Sequence, residues 1–319
     1  MVGRPRRLPA PSRHRDNDAA MSRTRIASTW QALHKESPTP IAPPDAFPDS
    51  EIAAMLCELG VALVEVVLPS HVVRYRLLQV AARYTTKNVR FVVLPTVLLI
   101  QVGTEGYEID VTTRSTAQLD LAGRVEQIAR LASAGAIAPA DAIAALREAR
   151  VMPPRFHPAL MVLGYVITTL GFGMIMNPTW ASLWGHAFLG MIVGLIVLTA
   201  QRVPSLGPIV PTSAAMAVTV LATWFVADAA NDGLMRVIAP SLVAILPGLS
   251  LTVGAMELAR SEIIAGASRL VYGVVQLLLM AFGVALGMAL AGEVTPKPAS
   301  PQIGSWGFYA AILVISVGL

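Results

Sequence analysis

The residues best placed to do chemistry in this chain lie in one segment, VIAPSLVAILPGLSLTVGAMELARSEIIAGASRL. Pro247-Gly248 interrupts an apolar run long enough to cross a membrane, and Glu257, Arg260, Glu262 and Arg269 follow within a few turns. In hydrocarbon a bare backbone amide or carbonyl is costly, so a broken helix survives only inside protein or beside a water-filled cavity. Transporters use such breaks to aim helix ends at a solute carboxylate or ammonium. The plainer alternative is a packing kink, since proline and glycine are fairly common in membrane helices. Glu257 divides in the same way. Within the membrane it has to be paired or functional; beyond the membrane it is a solvated loop carboxylate. On a continuing helix Glu262 and Arg269 share a face, with Glu257 and Arg260 on another. Gly266 lets the next span start close against a neighbour. For Arg269 the expected role is an anchor at the lipid headgroups, with solute contact as the alternative.

Other candidates are weaker. Asp228 and Asp232 flank ADAANDGL, read either as a solvated turn or as an ion or proton site, and Asn177 is turn chemistry. Gly164, Gly171, Gly173, Gly190 and Gly194 are read as close helix packing. None of the three lysines (35, 87, 297) sits in a phosphate-loop context, so ATP-driven pumping is disfavoured. No nucleophile–base constellation supports a membrane-embedded hydrolase, so neither an enzyme nor a cofactor is expected. Cys57 stands alone, and the five histidines (14, 34, 71, 157, 186) lack metal-ligand spacing; each is expected at the surface or an interface.

The elements that carry these residues follow from charge and hydropathy. The chain has 319 residues, 55% hydrophobic and 14% charged, against roughly 25% charged in an ordinary soluble domain. Of 24 Lys and Arg, 19 lie at or before Arg155, and 15 of the 20 acidic residues lie there too. Charge-free runs then cover Phe156–Gln201, Val203–Ala227, Val237–Met256, Leu270–Gly292 and Pro298–Leu319. A spanning helix needs about 20 apolar residues, and Asn177-Pro178 divides the first run. Five spans are expected near 157–176, 181–201, 211–230, 235–256 and 266–291, with a sixth starting near 307. The run ending VISVGL suggests the front part of something larger.

Residues 1–48 read as a disordered, basic, Pro-rich tail in which Met21 is an alternative start. The tail lacks the aromatic interleaving of a nucleic-acid binder and the apolar core of a secretory signal. Residues 49–155 read as a small α+β domain: two helices, the second opened by Pro69-Ser70, then VRFVVLPTVLLIQV and YEIDVTT as strands, then two helices separated by Gly135 and Pro139. Residues 156–292 form a five-helix transmembrane module, and 293–319 a loop and the start of a sixth helix. Arg147, Arg150, Arg155, Arg202, Arg260 and Arg269 flank one side of the spans, against Arg236 and Lys297 on the other. That asymmetry puts the N-terminus and the α+β domain in the cytoplasm.

A further pointer is the order of these segments: FVVLPT with Pro95-Thr96, a helix pair ending in Met-Pro-Pro, then Leu246-Pro247-Gly248, Glu257, and Gly266 with Arg269. From Ser50 to Gly292 it resembles the N-terminal module of the threonine/serine exporter family. The resemblance implies a gradient-driven exporter of threonine/serine-type amino acids in the cell (inner) membrane, or of a small dicarboxylate such as succinate. It also implies a second five-span module, in the same chain or as a separate protein; a homo-oligomer is the alternative. It offers Pro247, Gly248, Glu257, Gly266 and Arg269 as solute-binding positions, with Glu257 and Asp228 as proton or cation partners. The chain departs from the family at Met256-Glu257, where Arg-Asp is usual, at Ser261, where Gly is usual, and at PSHVVRYR, where Arg-Val-Glu is usual. Those departures bear on the solute. A non-transporting scaffold or sensor acting through the α+β domain is the competing reading.

Overall fold

The structure is a computed structural model that describes residues 39–111, 118–153, 156–176, 179–226, 234–292, 303–304 and 306–318. Residues 1–38 of the tail read over 1–48, together with Asn177, Asp228, Asp232, Arg155 and Lys297, lie outside the described residues, while Ile41 and Asp45 of that tail are hydrogen-bonded to Gly135 and Tyr84 of the α+β unit.

Helix α1 (Asp49–Glu65) and α2 (Ser70–Tyr84) lead into an antiparallel sheet, β1 (Val89–Val93), β2 (Val97–Val102) and β3 (Glu105–Asp110), in that order. Helices α3 (Leu119–Ser133) and α4 (Pro139–Arg150) complete this unit. Register runs Val89↔Val102 to Val93↔Leu98 and Val97↔Asp110 to Val102↔Glu105. Leu98, Ile100 and Val102 turn inward while Leu99 and Gln101 face out, the period-two pattern of a sheet with one buried face. Those side chains meet Ile52, Met55, Leu56, Leu59 and Leu63 of α1 in one core. On α3 the core stripe is Leu121, Val125, Ile128, Ala129 and Ala132, a helical period. Gly135 ends α3 in the left-handed region (φ +71°), and the Ala136 amide reaches back to the Leu131 carbonyl, satisfying a terminal acceptor.

The second unit is helical. Helix α5 (Pro158–Met176) pairs with α6 (Trp180–Arg202), and a 3-10 turn (Pro204–Ile209) leads to α7 (Val210–Leu221), which continues as one π-helical turn to Val226. Then come α8 (Leu234–Val243), α9 (Gly248–Ala259), α10 (Ile263–Ala291) and α11 (Trp306–Gly318). Among the described residues, four stretches are long and apolar enough to cross a membrane: Pro158–Met176, Ser182–Arg202, Ser205–Val226 and Ile263–Ala291. Helices α8 and α9 reach that standard together and are bent by 67° at their junction, which brings the number to as many as five. Along α10, Val271, Tyr272, Val275, Leu278, Phe282 and Leu286 are exposed apolar side chains, the outer face of a helix whose solvent is lipid.

Close packing holds these helices together. A Cβ on Gly190 would lie 2.8 Å from the Thr169 side chain, and one on Gly194 3.2 Å from the Val162 backbone, so α5 and α6 touch through their glycines. Gly164 and Gly171 meet α11, and Gly173 faces His186. His186 is itself fully buried at the α5–α6 interface.

Candidate functional site

The sequence break is a real break. After α8 the chain turns through Leu246 and Pro247, whose φ of −77° and ψ of 45° are not helical, and α9 starts anew at Gly248. Pro247 is buried, whereas Gly248 is exposed and a Cβ there would meet nothing within 4 Å. Gly248 is therefore not a packing glycine. Glu257 lies nine residues further along α9, about 13 Å at the usual helical rise. The structure does not bring the break and Glu257 together; they sit toward opposite ends of one short helix.

Glu257 is completely buried. Its Oε1 accepts hydrogen bonds from the Ser70 backbone amide at 2.7 Å and from Ser70 Oγ at 2.6 Å. Its Oε2 stands 3.2 Å from Arg269 Nε, an ionic contact without the alignment of a hydrogen bond. The opening turn of a helix leaves amide donors without intrahelical partners, and its positive end favours an anion. Helix α2 has no side-chain cap within its own segment, because Pro69 precedes it. The cap comes from Glu257, 187 residues away, so a carboxylate on the membrane-type helices closes a helix of the α+β unit.

One turn further along α2, Arg74 pairs with Glu262 at 2.7 Å. Glu262, expected to share a helical face with Arg269, thus has its ionic partner on the α+β unit, while Arg269 meets Glu257. The helix does not continue through 260–262: Arg260 and Ser261 form a turn, with Ser261 in the left-handed region at φ +65°. Helix α10 returns against α9, which sets Arg269 opposite Glu257 and frees Glu262 for Arg74. Arg269 is also not a headgroup anchor, since only 7% of the residue is exposed. The solvated-loop alternative for Glu257 falls for the same reason.

Gly266 behaves as expected. A Cβ there would lie 2.7 Å from the Leu258 backbone nitrogen and 2.8 Å from the Gly254 carbonyl oxygen. Gly254 reciprocates, 3.0 Å from the Gly266 carbonyl oxygen and 3.1 Å from Arg269 Cβ. This glycine pair sets α9 and α10 close enough for the Glu257–Arg269 contact. Sequence reasoning missed three members of the cluster. Gly254 could have been found as a small residue one turn before Glu257; Ser70 and Arg74 carry no local signal for a contact so distant in sequence. Among the described residues no group of His, Cys, Asp and Glu could hold a metal ion.

Apolar helices of spanning length, glycine-mediated packing and a buried ion pair define a polytopic helical membrane protein carrying an α+β unit. The chain belongs to the ThrE family, described as "Putative threonine/serine exporter", which matches residues 54–291. It is similar to pheromone-regulated membrane protein 10 of three yeasts. The Saccharomyces cerevisiae protein is 28% identical over 178 residues, covering 51% of this chain and 45% of that protein. The Candida albicans protein is 30% identical over 142 residues, 43% of this chain and 13% of that protein. The Kluyveromyces lactis protein is 33% identical over 84 residues, 25% of this chain and 9% of that protein. The chain thus matches less than half the length of these relatives. No solved structure matches it.

Proposed function

We propose that the protein is a gradient-driven exporter of small polar solutes, most naturally threonine/serine-type amino acids, and transports without catalysing a reaction. It resides in the cell membrane with the α+β unit in the cytoplasm, as the excess of arginines on that side of the spans favours. The solute binds along the α9–α10 hairpin, between the break at Pro247-Gly248 and the Glu257–Arg269 pair, with Gly266 keeping the two helices in contact. Glu257 is its cation or proton partner, and Asp228 is a second coupling candidate. A second five-span module or a second copy completes the pathway.

The observation that carries this reading is the fully buried Glu257, ion-paired with Arg269 at the far end of the short helix that follows the break. Buried ions in membrane helices are expensive and mark solute or ion pathways. Family membership supports export. Efflux of threonine, serine and succinate from cells with and without the protein, with a companion five-span module co-expressed, tests it. Faster threonine and serine efflux is expected; succinate efflux instead transfers the site to a dicarboxylate. Unchanged efflux of all three rejects the exporter and leaves the scaffold reading.

A further inference from the structure

We infer that Ser70, at the start of α2, forms with Arg269 a receptor for the carboxylate of a zwitterionic amino acid, and that Glu257 fills this receptor while no ligand is bound. The inference rests on the exporter reading for its ligand but extends the site to a residue of the α+β unit.

Three observations converge on it. First, the groups around the Glu257 carboxylate are those that bind a free carboxylate: a helix-terminal amide at 2.7 Å and a hydroxyl at 2.6 Å on Oε1, and a guanidinium 3.2 Å from Oε2. Second, the fit is incomplete. Arg269 is more than nine-tenths buried, yet its Nε makes no hydrogen bond, and Glu257 Oε2 accepts none. A buried guanidinium facing a carboxylate without an aligned hydrogen bond leaves donors for a second anion, since its planar fork suits bidentate pairing. Third, the helix carrying Glu257 is short and is broken from its neighbours at both ends. Helix α9 has 12 residues, bounded by the non-helical Pro247 and by Ser261 in the left-handed region.

Charge selects the ligand. The resident pair is neutral, Glu257 against Arg269. A zwitterion entering between them sets its carboxylate on Ser70 and Arg269 and its ammonium on the displaced Glu257. One ion pair becomes two, and the net charge of the junction does not change. A dicarboxylate would add two negative charges beside a third, in a buried place where like charges repel strongly. Because Ser70 belongs to α2, exchange of Glu257 for ligand passes through the contact that joins the two units, which Arg74–Glu262 also bridges.

The test is binding by the purified full chain in nanodiscs, read by thermal unfolding and independent of transport. In Glu257→Ala the receptor is vacant, so sodium formate should raise the unfolding temperature by several degrees, while equal sodium chloride and wild-type protein with formate should show little change. In wild type, L-threonine should stabilise, with succinate and N-acetyl-threonine ineffective. Ser70→Ala removes a single hydroxyl and keeps the test open should Glu257→Ala fail to fold. It should weaken threonine binding by roughly tenfold, the value of one hydrogen bond to a charged group. No formate effect on a folded Glu257→Ala, or unaltered threonine binding by Ser70→Ala, overturns the receptor. Stabilisation by succinate equal to that by threonine overturns the charge argument. Efflux without these binding effects leaves the exporter standing and the receptor refuted; binding without efflux does the reverse.

Discussion

Arg150 and Arg269 are both held by glutamates, in opposite settings. Arg150 reaches the buried Glu65 and the half-buried Glu58 at the edge of the α+β unit, with 24% of its side chain exposed, and Arg147 joins Glu58 from the surface at 68%. The hydrogen bond it donates to Glu65 is the main cause that raises its pKa. Arg269 shows 8% of its side chain and its partner Glu257 none. Around Arg150 the apolar residues lie inside and the charges outside; around Arg269 the apolar residues face lipid and the charges are enclosed. Water reaches the first arrangement through Arg147 and screens its outer bridge, which makes that bridge structurally minor. The second has no such screen, so it persists only where partners are held in place and where its charge serves a use.

That contrast can be broken by substitution. The largest effect is expected from Arg269→Ala, which leaves Glu257 buried without its counter-charge, a loss of about 3–5 kcal/mol. Thermal unfolding in detergent should drop accordingly, and an unchanged midpoint would put the pair on the same footing as a surface bridge. Next comes Gly266→Ala. The new methyl would press on backbone atoms of Leu258 and Gly254 that cannot swing aside, at about 1–3 kcal/mol. Denaturation of this variant beside Gly266→Ser tests whether the hairpin contact is as tight as the distances require. Arg147→Ala on the α+β surface should cost about 0.2–1 kcal/mol, shrinking as salt is added. Smallest is Gly248→Ala, within about 0.5 kcal/mol of wild type, because nothing lies where its Cβ would go.

Much of this layout was legible before the structure. Charge-free runs located the apolar helices to within a few residues, since lipid solvent imposes length and composition directly. The α+β unit was legible from alternation in VLLIQV and from the Pro69, Gly135 and Pro139 boundary signals. The break at Pro247-Gly248 was legible because both residues oppose helix continuation. The pairing of the charges was not. It depends on the reversal at Arg260–Ser261, which lays Glu257 back against Arg269 and where a non-glycine residue in the left-handed region gives no sequence signal. Ser70 was visible as a helix start, but its acceptor lies 187 residues on, and no local pattern encodes a contact of that range.

The most direct measurement is threonine efflux from cells that make Glu257→Gln in place of wild type, with the companion module present and membrane levels of the two proteins matched. Glutamine keeps the shape and an acceptor for Ser70 but removes the charge that faces Arg269. Loss of most of the efflux is expected, with the variant still inserted and folded. Efflux equal to that of wild type would contradict a role for the Glu257–Arg269 pair in moving the solute.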